Sequence, residues 1–220
     1  MMEIEKCLTK DGKYKTTKKH HQLFFDQIRE GNLEFVSAVL NASPEMVNVL
    51  GKNNSWYRGK SPLMYALQCA QDKMCTLLID RGAKVDFVMP EGQEKSICNW
   101  AATMAAMYGE SKPEFMQILK RLLELGANPN HRDYMGRDAL HEAISQLNAL
   151  GKCWQTVLVL IDAGADPERE HKKWLLQLAK VHTVKRYGEP ASPSLLAPEI
   201  YEAYGITKDE LETAIKAGAN

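Results

Sequence analysis

The sequence predicts an all-α solenoid of stacked helix pairs, and two recurring patterns support this fold class. The first is an apolar helix end followed by Gly-Ala, found at Gly82, Gly126 and Gly164, which lie 44 and then 38 residues apart. The second is a capped helix start upstream of these steps, seen most clearly at Ser61 and Asp138. Self-similarity at such a spacing is typical of repeat architectures, in which each unit is one supersecondary element.

The first helix of each unit is predicted to begin at a capping residue. Ser61, Ser96 and Asp138 have side-chain oxygens that can accept from an unpaired backbone N–H of the first turn. Pro62 follows Ser61 at the first helical position, where its missing N–H costs nothing. Leu, Ile and Ala then recur at helical spacing, which predicts an apolar face with room for a close neighbour.

The second helix of each unit is rich in Leu, Ile and Val and is predicted to end at the Gly-Ala step. Glycine lets the chain leave a helix with positive φ at little cost. Neither helix can bury its apolar face alone, so neighbouring pairs must stack side by side.

These units resemble the ankyrin repeat. Residues 126–141, which read GANPNHRDYMGRDALH, match its pattern best, and GKSPL at 59–63 is a second strong piece. The resemblance is specific over residues 52–167. One unit departs from the pattern, because it carries Ile97 and Asn99 where the repeat has proline and histidine.

By this interpretation the chain has three parts. Residues 1–19 are basic and are expected to form a flexible arm. Residues 20–167 hold about four helix pairs, of which the first is divergent. Residues 168–220 hold a weak last repeat and a helical C-terminal cap, in which Thr207 and Glu210 have the spacing of a capping box.

Composition excludes several classes of protein. The 220 residues include 28 Lys plus Arg and 28 Asp plus Glu, which argues against a generally electropositive nucleic-acid binder. No apolar run is long enough for a membrane span, and the N-terminus lacks the apolar stretch of a secretory signal. Five cysteines without a CxxC pair favour reduced thiols, so we expect a cytoplasmic protein.

No pattern of residues predicts catalysis or metal binding. His141-Glu142 begins like a zinc-binding HExxH motif, but Ser145 stands where the second histidine is required. The ankyrin resemblance instead implies that His141 is structural and bonds to the backbone of the adjoining loop. A nucleophile such as Cys69 or Cys75, paired with a distant histidine, stays open as a minor alternative. We therefore expect no catalytic residue, no metal and no cofactor.

The ankyrin resemblance also implies a binding surface. Members of the family present their loops as β-hairpin-like fingers and bind proteins with these fingers and with the concave face of the first helices. Exposed aromatic residues, Met and Arg at such loops match the composition of interface anchors, although packing between fingers is an equally weighted alternative. The candidate protein-binding residues are Trp56, Tyr57, Arg58, Lys60, Gln68, Thr103, Tyr134, Met135, Arg137 and Ser145.

The predicted function is a non-catalytic scaffold or adaptor that binds a protein partner as a monomer, with no nucleic acid. One alternative is a bacterial effector-type protein, delivered into a host cell, whose activity lies in residues 168–220. Another is that the repeats only scaffold self-association.

Overall fold

A computed structural model describes residues 4–52, 56–90, 94–109, 111–150, 154–167, 171–173, 175–176, 202, 204–207, 209–210 and 213. Within them, consecutive helices form four pairs, and short turns at 30–32 and 69–71 join the helices of the first two pairs. Residues 171–173 and 175–176 are also helical. The paired helices are α1 (Lys18–Arg29), α2 (Leu33–Ala42), α3 (Pro62–Gln68), α4 (Asp72–Asp80), α5 (Ile97–Tyr108), α6 (Glu114–Glu124), α7 (Ala139–Leu150) and α8 (Trp154–Asp162).

The pairs stack as a two-layered solenoid. The first helices of the pairs form one layer, in which α1 packs on α3, α3 on α5 and α5 on α7. The second helices form the other layer, in which α2 contacts α4 and α4 contacts α6. The part of the chain that the structure describes contains no strand, so the predicted all-α class is confirmed.

The local signals that predicted the helix ends are present in the structure. The side chains of Ser61, Ser96 and Asp138 each accept from the amide three residues further on, at 3.3, 3.1 and 2.9 Å. The glycines of the three Gly-Ala steps have φ values of 82°, 93° and 86°. Because these contacts are local, the sequence predicts where the helix pairs after Ser61, Ser96 and Asp138 begin and end.

Alanines let the first-layer helices approach closely. Ala101, Ala102, Ala105 and Ala106 of α5 are all buried, and α5 lies between α3 and α7. Small side chains on a helix allow its neighbours to pack at short range, so α5 forms the centre of the described core.

The N-terminal segment differs from the flexible arm that was expected over residues 1–19. Cys7 and Tyr14 are buried, and a β-bridge joins Leu8 to Tyr14. The Tyr14 amide donates to Ser43 Oγ at 2.9 Å, and the Tyr14 hydroxyl donates to the His20 carbonyl at 2.7 Å. Two buried side chains are enough to fix the segment, although they leave no periodic pattern in the sequence.

The predicted C-terminal cap lies mostly outside the described residues, which omit 177–200. Its capping box is present: the Thr207 amide donates to Glu210 Oε2 at 2.8 Å, and the Glu210 amide donates to Thr207 Oγ1 at 3.2 Å. In the helices that the structure describes, none is both long enough and apolar enough to cross a membrane.

Candidate protein-binding surface

Three loops join consecutive helix pairs, and they position most of the predicted binding residues. We call them finger 1 (51–60), finger 2 (84–96) and finger 3 (128–137). Each finger follows the second helix of one pair and leads into the first helix of the next, so the solenoid spaces the three fingers along one edge.

Fingers 1 and 2 are closed like hairpins. In finger 1 the Gly51 amide donates to the Lys60 carbonyl at 2.9 Å, and in finger 2 a β-bridge joins Val88 to Ser96. A Cβ atom on Gly51 would lie 1.9 Å from the carbonyl oxygen of Tyr57. Only glycine therefore fits at the base of finger 1.

A buried carboxylate organises finger 3. Asp133 Oδ1 accepts from the amides of Met135 and Arg137, both at 2.9 Å, and Oδ2 accepts from Arg137 Nη2 at 2.8 Å. Burial alone would raise the pKa of Asp133, but these hydrogen bonds outweigh it and hold the pKa below its usual value. The finger is thus fixed from inside by the buried carboxylate of Asp133.

Four of the predicted residues face outward and form what we call the tip surface: Trp56, Arg58, Tyr134 and Met135. Trp56 is 67% exposed, Tyr134 61% and Met135 59%, and Arg58 is also exposed. Large apolar side chains at such exposure, on loops held rigidly, have the composition of interface anchors. The tip surface therefore consists of residues from the first and third fingers.

Tyr57 and Lys60 do not face outward as the sequence interpretation expected. Tyr57 is 2% exposed and stacks on Phe25 of α1, with ring centroids 4.5 Å apart. Lys60 is 8% exposed, and its ammonium donates to the Trp56 carbonyl at 2.6 Å. Burial lowers the pKa of Lys60. Both residues support finger 1 from within. Tyr57 directly follows Trp56, and the two side chains point to opposite sides of the turn.

The predicted concave-face residues are more enclosed than expected. Thr103 is buried, and its hydroxyl lies 3.0 Å from the Asn99 carbonyl and 3.1 Å from Glu142 Oε2. Ser145 is half-buried and donates to the Glu142 carbonyl at 2.8 Å. Gln68 is also half-buried. Thr103 and Ser145 thus contribute internal hydrogen bonds, and none of the three side chains is part of an open polar face.

A buried ion-pair network joins the second and third fingers, and sequence reasoning missed it. Glu142 of α7 is buried, and its Oε1 lies 3.0 Å from Lys95 Nζ and 3.6 Å from Arg137 Nη2. Lys95 Nζ also lies 4.6 Å from the ring centroid of Trp100. Arg137, a predicted anchor, is thus held by the carboxylates of Asp133 and Glu142. No local pattern predicts this network, because its members come from different repeats.

Comparison with known proteins decides the family. The profile described as the ankyrin repeat matches residues 58–89, which run from finger 1 through α3 and α4 into finger 2. The chain contains an ankyrin repeat at these residues. Ankyrin repeats are protein–protein interaction modules that are generally non-catalytic, and this chain carries such a module.

Three relatives are similar to this chain over much of its length. E3 ubiquitin-protein ligase KEG of Arabidopsis thaliana is 27% identical over 180 residues, which are 78% of this chain and 10% of that protein. Rabankyrin-5 of Mus musculus is 30% identical over 143 residues, 62% of this chain and 11% of that protein. An ankyrin repeat-containing protein of Treponema pallidum is 27% identical over 173 residues, 79% of this chain and 50% of that protein. The chain therefore spans half or less of the length of each.

Asn99 takes the histidine position of its ankyrin repeat and links two fingers. Its Nδ2 donates to the Arg137 carbonyl in finger 3 at 3.0 Å. His131 Nε2 of finger 3 lies 2.7 Å from the Glu94 carbonyl oxygen of finger 2. The divergent residue thus bonds to a neighbouring loop, the role that the family resemblance implies for histidine.

His141 contacts a residue that the sequence did not place beside it. Its Nδ1 lies 3.1 Å from Asp138 Oδ1 and 2.7 Å from Nε2 of His171, a residue beyond the last clear repeat. The sequence did not predict the approach of His171, which lies 30 residues further along the chain.

The cysteines suit packing better than nucleophilic chemistry. Cys7, Cys69, Cys75 and Cys98 are free thiols. Burial raises the pKa of Cys69, and burial raises that of Cys98 to about 12. Cys75 is fully buried, and burial raises its pKa as well. Since the thiolate is the reactive form, these surroundings disfavour a cysteine nucleophile.

Proposed function

We propose that this ankyrin-repeat protein is a non-catalytic adaptor that binds a protein partner through the tip surface. The observation that carries the proposal is the exposure of Trp56 and Tyr134 on fingers that buried residues such as Tyr57 and Asp133 hold from within. Large aromatic side chains that stay exposed in the free protein are typical of binding anchors.

Internal contacts of the described residues in fingers 1 and 3 support this mechanism. Finger 1 is held by the stack of Tyr57 on Phe25, and finger 3 is held by Asp133. Binding through pre-ordered loops loses little conformational entropy, so more of the contact energy appears as affinity. Arg58 beside Trp56 favours a partner that offers an apolar recess next to a carboxylate.

The proposal predicts that single tip substitutions weaken binding without unfolding the protein. For a partner isolated with the full chain, Trp56→Ala and Tyr134→Ala should each weaken the Kd about 30-fold, which is about 2 kcal/mol. Isothermal titration calorimetry measures this change, and thermal unfolding by circular dichroism should show an unaltered midpoint.

Exposed residues on the second layer of helices provide matched controls. The control residues are exposed on the second layer of helices, away from the first-layer helices that support the fingers. They are Lys73 of α4, Gln117 of α6 and Gln155 of α8. Their alanine variants should bind like the wild type. If these variants lose binding while the tip variants keep it, the assignment of the surface is wrong.

A cytoplasmic location is part of the proposal and is supported by the four free thiols. The alternative of a separate activity in residues 168–220 concerns a segment that lies mostly outside the described residues, and no observation favours it.

A further inference from the structure

Three potential ligand atoms converge where the last clear repeat meets the segment that follows it. His171 Nε2 lies 2.7 Å from His141 Nδ1 and 3.2 Å from Asp138 Oδ1, and His141 Nδ1 lies 3.1 Å from the same oxygen. All pairs in this triangle are within hydrogen-bond distance. We call the three residues the Asp-His-His cluster.

The cluster is enclosed and comes from two separate elements. Asp138 caps α7 and is buried, and His141 follows it one turn later on the same helix. His171 is fully buried and belongs to the short helical stretch 171–173 beyond α8. The fold thus brings His171 close to Asp138 and His141, which their spacing already places on one face of α7.

In every hydrogen-bonding arrangement of this triangle, one of its three edges is unfavourable. Each ring nitrogen has one in-plane site, which holds either a proton or a lone pair. If both nitrogens carry protons, two N–H groups face each other at 2.7 Å. If only one does, the other nitrogen directs its lone pair at the carboxylate oxygen. In every tautomer one edge joins two groups of like polarity, whereas a cation at the centre attracts all three atoms.

A fourth polar group beside the cluster lacks a hydrogen-bond partner among the described residues. The Tyr204 hydroxyl is buried and unpaired, and the Tyr204 ring packs edge-on against His171 with centroids 6.1 Å apart. A bound ion with a water ligand would give this hydroxyl a partner.

We propose that the Asp-His-His cluster binds one Zn²⁺-type ion. Two imidazole nitrogens and one carboxylate oxygen are ligands that zinc accepts in tetrahedral sites. Zinc bonds of 2.0–2.2 Å place neighbouring tetrahedral ligands about 3.3 Å apart. Two edges of the triangle are within about 0.2 Å of that value, and the third requires the imidazole rings to separate by about 0.6 Å.

The ion would join residue 171 to α7 and so fix the start of the C-terminal segment to the repeats. This proposal revises the expectation of no metal, which rested on the missing second histidine one turn after His141. The second histidine comes instead from a separate element 30 residues away.

Metal binding to the purified full-length chain tests the proposal. After removal of metal with a chelator and dialysis, Zn²⁺ should bind at one equivalent, with a Kd tighter than about 1 μM in competition with a chromophoric zinc indicator. Co²⁺ in the same site should give visible d–d bands of a four-coordinate complex without a thiolate charge-transfer band. Saturating Zn²⁺ should also raise the midpoint of thermal unfolding.

Two variants and one matched control distinguish the site from adventitious binding. His171→Gln and Asp138→Asn should weaken Zn²⁺ binding at least about tenfold, with circular dichroism confirming that each is folded. His131→Gln removes a histidine elsewhere and should bind like the wild type. The proposal is overturned if the chain binds no stoichiometric Zn²⁺, if His171→Gln binds it as tightly as the wild type, or if cobalt shows thiolate ligation.

Discussion

Tyr57→Ala is expected to lower the free energy of unfolding by about 3 kcal/mol, whereas Trp56→Ala should change it by about 0.5 kcal/mol or less. The two residues are neighbours in finger 1 and are both large aromatics. Tyr57 is 2% exposed and Trp56 is 67% exposed. The pair therefore separates a supporting role from a contacting role at adjacent positions.

The large effect follows from the aromatic cluster beneath finger 1. Tyr57 stacks on Phe25 with an interplanar angle of 12°, and it meets Tyr65 edge-on with centroids 5.6 Å apart. Truncation to alanine leaves a cavity between α1 and α3 and removes these ring contacts.

Urea unfolding followed by circular dichroism measures both changes. Tyr57→Phe keeps the stacked ring and should retain most of the stability lost in Tyr57→Ala. Equal destabilisation by Trp56→Ala and Tyr57→Ala would contradict the assigned orientations of the two side chains.

Glu142→Ala is expected to destabilise the protein by about 3–5 kcal/mol, the range for breaking a buried ion pair by removing one partner. Glu142 is buried, and the Lys95 side chain that it contacts at 3.0 Å is 14% exposed. The substitution leaves the Lys95 ammonium without its carboxylate. It also removes the contact to Arg137, so fingers 2 and 3 lose a shared support.

Denaturant unfolding and hydrogen exchange test this expectation together. Glu124→Ala, at an exposed acidic residue ending α6, is the matched control and should change stability by about 0.5 kcal/mol or less. Glu142→Ala should also speed amide exchange in finger 3. A cost as small as that of the control would show that the network does not hold the fingers.

The solenoid was predictable from the sequence because its signals are local. Caps such as Ser61 act within one helical turn, and apolar spacing acts within one helix. The starts of α3, α5 and α7 and the ends of α4, α6 and α8 follow from those signals.

The candidate surface was predictable only in part, because it depends on side-chain direction and on distant contacts. Trp56 and Tyr57 are equivalent by residue type, and only the packing of α1 beneath the finger distinguishes them. Lys95 and Glu142 are separated by several elements, and no periodic pattern pairs them. The approach of His171 to His141 was unpredictable for the same reason. The fold brings the two residues together, and their spacing in the sequence does not.

Site-specific photo-crosslinking tests most directly the claim that the tip surface binds a protein. A photoreactive amino acid is placed in the full chain at Trp56, at Tyr134 or, as a control, at Lys73 on α4, and each protein is irradiated with its isolated partner. We expect covalent adducts from positions 56 and 134 and none from position 73. Adducts from position 73 alone would contradict it and would place the partner on the second layer of helices.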